Sequence, residues 1–366
     1  MATLLETASL VMVPSGYEDG TLGSLVPTDA SGDFTFTRGS NLSATRVNEQ
    51  GHIEKGYENL LLQSNSFDIS PWVKSNVSVT GGQAGYDGTN DAWLLQAVSS
   101  GYNRRVDQIT SISGVSTYSF YAKANTSNYA QAIISNYSGA DPNAYFNLST
   151  GLAETNNDAV DVNMIDAGDG WYRCSITGNA EINQVRLLVS DYGYTNLVDA
   201  GGSIYIQNAM LNQGLTDYPY IETAAALEKG GILSDLPRLD YSSGRASLLL
   251  EPQRTNLITH SEYRNGGYQA SVVNNSILSP EGVSNGCLFI ENTALNAHGL
   301  QYSNMIGYNA NPVNYTISVF AKAKERTAIR FLFYADTIGY NSSFFNISNG
   351  TTTGDSNTHK IQDYGN

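Results

Sequence analysis

The sequence predicts an all-β protein made of tandem antiparallel β-sandwich domains. Charged residues make up 14% of the chain, against about 25% in an average soluble protein. Its 35 glycines and 24 tyrosines suit strands joined by turns. Apolar and polar residues alternate over residues 118–123, 171–177 and 204–210, which is typical of strands that bury one face. A long internal repeat predicts that the sandwich occurs twice.

The repeat consists of three pairs of segments in the same order along the chain. The Asn-Leu pair at Asn59 returns at Asn256, an offset of 256 − 59 = 197 residues. The two further pairs have an offset of 199 residues (317 − 118 and 344 − 145), and they are residues 118–124 with 317–323 and residues 145–151 with 344–350. This period is far longer than a solenoid unit, so each copy should be a complete domain.

The repeat divides the chain into four regions. Residues 1–56 precede the first copy, residues 57–223 form the first sandwich, residues 224–253 are a linker and entry strand, and residues 254–366 form a second sandwich that is C-terminally incomplete. Residues 224–231 read as a short helix or a linker that ends in glycine.

The second copy lacks counterparts of three strands of the first. Counterparts of residues 171–177, 185–189 and 204–210 would fall after Asn366. A sandwich without them would leave backbone groups unpaired at its edges. We therefore expect the natural chain to continue past Asn366.

Charge and composition exclude several classes of function. A net charge of −15 without a basic cluster repels a phosphate backbone, so we expect no nucleic-acid partner. No stretch is apolar enough to cross a bilayer, so we expect no membrane insertion. Cys174 and Cys287 lie far apart and the four histidines are scattered, which does not suit a disulfide framework or a zinc site.

Catalysis is not expected either. Glycoside cleavage needs two carboxylates placed across a bond, and in an acidic chain the abundance of Asp and Glu is no evidence for such a pair. No nucleophile-elbow motif for Ser-His-Asp chemistry is visible. We expect that these residues do not form an enzyme.

Several sequence strings resemble those of tailed-bacteriophage virion fibre and receptor-binding proteins. They are residues 33–40, 170–173, 220–223, 237–241 and 247–257. Proteins of this family carry tandem carbohydrate-binding-module-like domains, which are lectin-like jelly rolls. The resemblance covers nearly the whole chain.

The resemblance implies a location and a set of partners. Residues 1–56 would be an N-terminal segment for virion docking, attachment and trimerisation. The protein would be made in the bacterial cytoplasm and assembled on the phage particle as a homotrimer. Its partners would be other virion subunits and a host-surface polysaccharide or glycan. Two alternatives remain open, which are a capsid or head decoration protein without binding activity and the N-terminal part of a tailspike depolymerase.

Aromatic side chains in loops are the candidate glycan contacts, because sugars stack on aromatic faces. Trp72 and Trp171 lie in strings that define the fold, so we expect them to pack in the core or at a strand end, and we expect Trp93 to be buried. The candidates are tyrosines in segments rich in Asn and Gly, and they are Tyr86, Tyr102, Tyr137, Tyr192 and Tyr194. Each contact would be weak, about 1–2 kcal/mol, and several copies per particle would add avidity.

Calcium is the cofactor that an acidic turn could hold. Asp87 and Asp91 lie in a Gly- and Asn-containing turn and supply the oxygen ligands that calcium prefers. The turn does not match the EF-hand pattern. The alternative is an ordinary solvated turn with no cofactor.

Overall fold

The structure is a computed structural model, and it confirms the predicted all-β fold class. It describes residues 7–18, 21–36, 44–136, 141–193, 195–232, 236–251, 254–258, 261–262, 267–301, 314–335, 339–354 and 359–363. The chain divides into two compact units, Met1–Met305 and Ile306–Asn366.

The described residues form 26 strands. They are β1 (Val11–Glu18), β2 (Thr21–Val26), β3 (Phe34–Thr35), β4 (Thr45–Val47), β5 (Ile53–Lys55), β6 (Tyr57–Asn59), β7 (Val73–Ser75), β8 (Val77–Gln83), β9 (Ala92–Ala97), β10 (Gly101–Tyr102), β11 (Arg105–Ala124), β12 (Tyr129–Asn136), β13 (Asn143–Asn147), β14 (Leu152–Asn157), β15 (Asp161–Gly168), β16 (Trp171–Ser190), β17 (Leu197–Val198), β18 (Ser203–Gln213), β19 (Glu228–Gly230), β20 (Leu239–Asp240), β21 (Ser247–Leu248), β22 (Ala270–Ile277), β23 (Gly286–Glu291), β24 (Ala328–Ala335), β25 (Gly339–Asn346) and β26 (Thr351–Gly354).

The first copy is a two-sheet antiparallel sandwich whose sheets share their two longest strands. The first sheet has the order β15–β16–β11–β18–β9–β8, and the second has the order β14–β13–β12–β16–β11–β7. Strands β11 and β16 are 20 residues long, so each runs through both sheets. A bulge between Ile109 and Ile112 bends β11 where it passes from one sheet to the other.

The inner faces of the two sheets meet in one core. Phe120 and Ile176 come from the first sheet, Ile134 and Val185 come from the second, and all four are fully buried. Alternate residues of the same strands point to the outer faces, which produces the sequence pattern that predicted the sandwich.

The three tryptophans pack as predicted. Trp72 and Trp171 are buried, and Trp93 packs partly buried against the core. The ring of Phe67 lies between two of them, with centroids 4.9 Å from Trp72 and 6.3 Å from Trp93. Cys174 is buried in the same core and makes no disulfide. Phe67, Trp72 and Cys174 therefore belong to the core of the first copy.

Asn59 ties the start of the first copy to strand β18. Its Nδ2 donates to the carbonyl oxygens of Ala209 and Ile221 at 3.2 and 2.8 Å. Its Oδ1 accepts the backbone N–H groups of Leu61 and Leu211 at 3.2 and 3.3 Å. The side chain is fully buried, and every donor and acceptor position of the amide is used, as burial requires.

The same asparagine recurs in the second copy with the same local bond. Asn256 accepts the backbone N–H of Ile258 at 3.0 Å, as Asn59 accepts that of Leu61. This bond explains why the Asn-Leu pair is one of the repeated strings.

The region after the first sandwich forms a strand, so the short-helix alternative for residues 224–231 is wrong. Strand β19 pairs with β6, and Gly230 lies opposite Tyr57. A Cβ at Gly230 would lie 2.7 Å from Cζ of Tyr57, which only glycine avoids. The Ala-rich residues 224–227 are in neither a helix nor a strand, and the chain then pairs with the distant strand β6 at Glu228–Gly230.

The N-terminal region contains two small β-structures. Strands β1, β2 and β3 form an antiparallel sheet, and β4 pairs with β5. The carboxylate of Asp240 accepts the backbone N–H of Val47 at 2.9 Å, so β4 contacts the chain that follows the first sandwich. Virion docking and trimerisation by residues 1–56 stay predictions.

The second copy repeats a sheet of the first. Strand β24 lies 199 residues after β12 (328 − 129), and β24–β25–β26 have the order of β12–β13–β14. Residues 317–323, the counterparts of residues 118–124 in β11, are not in a strand. In the first copy that segment pairs with β16 and β18, whose counterparts would fall after Asn366. The four predicted regions and the continuation past Asn366 stay predictions.

Truncation of the core should destabilise the first sandwich. We expect Ile134→Ala to lower its free energy of unfolding by about 3 kcal/mol, because the side chain is fully buried. Denaturant unfolding followed by tryptophan fluorescence measures this, since all three tryptophans lie in residues 57–223. The control Ile165→Ala, with a side chain 49% exposed, should change stability by less than about 0.5 kcal/mol. Equal effects of the two variants would contradict the assigned core.

Loss of the Asn59 amide should lower the free energy of unfolding of the first sandwich by as much as Ile134→Ala does. In Asn59→Leu the four backbone groups lose their partners, and we expect a loss of about 3 kcal/mol in the same fluorescence assay. The matched control is Asn256→Leu, at an exposed asparagine outside the first sandwich, and it should leave that transition unchanged. A neutral Asn59→Leu would show that the amide does not tie the first copy together.

Candidate functional site

Two of the predicted tyrosines meet at one end of the first sandwich. Tyr102 lies in β10, and Tyr192 lies in the loop between β16 and β17. Strands β10 and β17 pair, with Tyr102 opposite Leu197, which joins the two loops although they are about 90 residues apart in sequence. The side chains of Tyr102 and Tyr192 are 60% and 54% exposed. We call this surface, residues 99–104 with residues 190–193 and 195–197, the tyrosine rim.

Arg104 holds the first loop of the tyrosine rim in place. Its Nη1 donates to the carbonyl oxygen of Tyr102 at 2.6 Å, its Nε donates to that of Ser99 at 2.9 Å, and its Nη2 donates to that of Ser100. Gly101 has a φ of 135°, and a Cβ there would lie 2.8 Å from Nη2 of Arg104. The guanidinium therefore fits only because residue 101 is glycine.

Ser190 holds the second loop. Its Oγ lies within hydrogen-bond distance of three carbonyl oxygens, those of Tyr192 (2.8 Å), Thr195 (2.6 Å) and Leu197 (3.2 Å). The carboxylate of Asp191 accepts the backbone N–H of Asp199 at 2.8 Å and the hydroxyl of Ser127. Loops held by several internal bonds lose less entropy when a ligand binds.

An asparagine pair connects the two loops. Asn196 Nδ2 donates to Asn103 Oδ1 at 2.9 Å, and this bond is exposed. Each amide keeps further donor or acceptor capacity after making it. The tyrosine rim thus combines side-chain amides with two exposed aromatic rings, the groups that can contact sugar hydroxyls and sugar faces.

The tyrosine rim continues onto the outer face of the second sheet. A Cβ at Gly193 would lie 3.3 Å from the ring of Tyr129 and 3.7 Å from Oε2 of Glu154. The hydroxyl of Tyr129 accepts the Asn147 side-chain amide at 2.9 Å. A ligand longer than one residue would find a further tyrosine and a carboxylate beside Tyr192.

Tyr86 lies elsewhere, within an aromatic cluster on the outer face of the first sheet. Its ring stacks on Tyr121 at 3.6 Å with an angle of 5°, and Trp171 lies 6.5 Å from both Tyr86 and Tyr205. Asn208 donates to its hydroxyl at 3.4 Å. Burial and the hydrogen bond with Tyr121 raise the pKa of Tyr86 to about 12. One face of the ring is therefore already used, and glycan contact by Tyr86 stays a prediction.

Asp87 and Asp91 are close together, as the calcium prediction requires, but an amide lies between them. Gln207 Nε2 donates to Asp91 Oδ1 at 2.6 Å and to Asp87 Oδ1 at 3.3 Å. The N–H of Tyr86 donates to Gln207 Oε1 at 3.1 Å, which fixes the orientation of the amide. The Thr89 hydroxyl lies within hydrogen-bond distance of both carboxylates and can donate to one of them at a time, and the Thr89 backbone N–H donates to Asp87 Oδ1 at 3.2 Å. Burial raises the pKa of Asp87, but bonds from Thr89 and Gln207 outweigh it and lower the pKa below its usual value.

A cation at this turn would have to displace the Gln207 N–H group. Over the ranges that the structure describes, no three His, Cys, Asp or Glu residues converge as metal ligands. Calcium binding by Asp87 and Asp91 stays a prediction.

The other predicted tyrosines, Tyr137 and Tyr194, lie outside the described residues. Sequence reasoning missed Arg104, Asn103 and Asn196. The available signal was the string Gly101-Tyr102-Asn103-Arg104. A glycine three residues before an arginine in a loop allows the guanidinium to lie close to the glycine Cα. No local pattern in the sequence indicated that this loop meets the loop that carries Tyr192, which lies 90 residues after Tyr102.

The described part of the chain contains no helix that is long and apolar enough to cross a membrane. Neither a family model nor a curated protein sequence matches the chain.

Several solved structures resemble part of the chain. TmCBM61, solved in complex with β-1,4-galactotriose, is 15% identical with a TM-score of 0.28, over 43% of this chain and 99% of that chain. The enzymatically active domain of bacteriophage CBA120 tailspike protein 4 is 17% identical with a TM-score of 0.26, over 42% of this chain and 21% of that chain. A putative sugar-binding protein from Bacteroides thetaiotaomicron is 14% identical with a TM-score of 0.24, over 49% of this chain and 99% of that chain.

Proposed function

We propose that the first sandwich binds host-surface glycans through the tyrosine rim, as part of a bacteriophage virion appendage. The observation that carries the proposal is the pairing of β10 with β17, which joins the two loops that carry the exposed side chains of Tyr102 and Tyr192. Glycan binding explains why two tyrosine side chains stay more than half exposed on loops that are held by Arg104 and Ser190.

The chemistry of the rim suits a sugar better than a protein partner. Two separate rings can stack on successive pyranose faces, and the Asn103 and Asn196 amides can exchange hydrogen bonds with hydroxyls. Each stacking contact contributes about 1–2 kcal/mol, so one site binds weakly. A weak site suits a protein present in many copies on one particle, because avidity multiplies the contacts.

The virion location is proposed from the sequence strings that resemble phage fibre proteins. Under this proposal the chain is a homotrimeric fibre component, residues 1–56 dock it to other virion subunits, and these 366 residues bind without catalysing a reaction. The carboxylate of the rim, Asp191, already accepts hydrogen bonds from Ser127 and from the backbone N–H of Asp199, which suits a binding surface.

Removal of either ring should weaken glycan binding. We expect Tyr102→Ala and Tyr192→Ala each to raise the Kd of the full chain for its glycan about tenfold, which corresponds to about 1.4 kcal/mol. A glycan array identifies the ligand with the wild-type chain, and calorimetry on that glycan then measures each variant.

The matched control is Ile165→Ala, which removes an exposed side chain from the first sheet. It should leave the Kd unchanged. All three variants should keep the wild-type tryptophan-fluorescence unfolding curve, because the removed side chains are exposed. Tyrosine variants that fold normally and bind every glycan as the wild type does would refute the site.

Calcium should have little effect on the first sandwich, because Gln207 and Thr89 already close the turn between Asp87 and Asp91. We expect the same unfolding midpoint in millimolar calcium and in excess chelator. A midpoint that rises with calcium in the wild type, and not in Asp91→Asn, would instead establish these carboxylates as a calcium site.

A further inference from the structure

Each sandwich copy is preceded by a β-hairpin of the same type. Strands β4 and β5 form the first hairpin, residues 45–55, and strands β20 and β21 form the second hairpin, residues 238–249. The string Arg46-Val47-Asn48 returns as Arg238-Leu239-Asp240, 192 residues later (238 − 46). The repeat therefore includes the hairpin as well as the sandwich.

The counterparts Asn48 and Asp240 begin the turns of the two hairpins. Asn48 Oδ1 accepts the backbone N–H of Gln50 at 3.1 Å, and Asp240 Oδ2 accepts that of Ser242 at 3.1 Å. Asn and Asp often begin a turn by accepting the N–H group two residues later. Because Asp240 makes this bond with one carboxylate oxygen, its other oxygen can accept from another partner.

That other oxygen binds the first hairpin. Asp240 Oδ1 accepts the backbone N–H of Val47 at 2.9 Å. The backbone N–H of Tyr241 donates to the carbonyl oxygen of Val47 at 3.0 Å. Arg238 Nη1 donates to the carbonyl oxygen of Thr45 at 2.9 Å. The second hairpin thus binds backbone groups along β4.

Strand β4 offers a free edge to this contact. It belongs to a sheet of two strands with β5, so its other edge carries backbone groups that need partners outside the sheet. The second hairpin supplies a carboxylate, a backbone N–H and a guanidinium. Arg46, the counterpart of Arg238, instead pairs with Glu54 of its own hairpin at 2.8 Å. The contact therefore has a direction, in which the first hairpin presents a strand edge and the second presents side chains.

The first sandwich leaves the chain and returns to it beside this contact. Strand β6 follows the first hairpin directly and pairs with β19. Gly231 has a φ of 68°, and a Cβ there would lie 3.3 Å from Cα of Gly56 and closer still to the carbonyl oxygen of Lys55. The incoming and outgoing chains thus run side by side, and only glycine fits at residue 231.

We propose that the two hairpins bind each other as one joint and that the first sandwich is a branch attached to this joint. The partner that the edge of β4 recognises is therefore a second copy of its own hairpin. Unfolding or alteration of the sandwich would leave the N-terminal region joined to the chain that follows it. This inference does not depend on glycan binding by the tyrosine rim.

Hydrogen–deuterium exchange of the full chain, read by mass spectrometry of peptides, tests the joint. In Asp240→Ala the N–H of Val47 loses its acceptor, and we expect residues 45–55 to exchange about tenfold faster than in the wild type. Residues 118–124 should keep the wild-type rate. The matched control is Asp68→Ala, which removes an exposed carboxylate from the first sandwich, and it should leave residues 45–55 unchanged.

A second variant acts on the joint without touching the Asp240 turn. Arg238→Ala removes the donor to the carbonyl oxygen of Thr45, and residues 45–55 should again exchange faster, by a smaller factor than in Asp240→Ala. Wild-type exchange of residues 45–55 in both variants would show that the hairpins do not bind each other.

The reverse experiment tests the branch. Ile134→Ala removes a fully buried side chain from the sandwich core, so residues 118–124 should exchange faster while residues 45–55 keep the wild-type rate. Faster exchange of residues 45–55 in Ile134→Ala would mean that the first hairpin depends on the sandwich, and the branch would be overturned.

Discussion

The pairing of β11 with β16 is the constraint on which the first sandwich depends. Each strand is 20 residues long, and the pair runs in register from one sheet into the other, interrupted by a bulge after Ile109. Because both sheets are built outward from the same two strands, their inner faces are held opposite each other and close one core. The remaining strands add to this pair at β18 and β15 in the first sheet and at β12 and β7 in the second.

The position of the tyrosine rim follows from that pair. Strand β11 begins at Arg105, directly after the loop that carries Tyr102, and β16 ends at Ser190, directly before the loop that carries Tyr192. Antiparallel strands bring the start of one to the end of the other, so the two loops meet wherever β11 and β16 pair. The glycan site proposed here is thus a consequence of strand direction, and Arg104 and Ser190 then fix the loops in detail.

The second copy shows how far pairing decides structure. Residues 118–124 and 317–323 share an alternating pattern, yet the first segment is a strand flanked by β16 and β18 and the second is not in a strand. Strand propensity depends on neighbours that supply hydrogen bonds and packing. Phe120 is buried between sheets, whereas Val319 and Phe320 are more than half exposed. Strands β24, β25 and β26 keep the order of β12, β13 and β14 while side chains differ, with Arg330 at the position of Gln131 and Phe344 at that of Tyr145.

The sequence alone determined the fold class, the repeat, the core residues of the first copy and two tyrosines of the rim, because alternation and composition report which side of a strand is buried. It left residues 224–231 undecided between helix and linker, and it had no means to show that Gln207 lies between Asp87 and Asp91. The tertiary structure decided which loops meet, that Tyr86 belongs to an aromatic cluster, and that Arg104 and Asn196 join the site. The contacts of Gln207 with Asp87 and Asp91 and of Asn196 with Asn103 join residues more than 90 positions apart, and such contacts have no local signature in a single sequence.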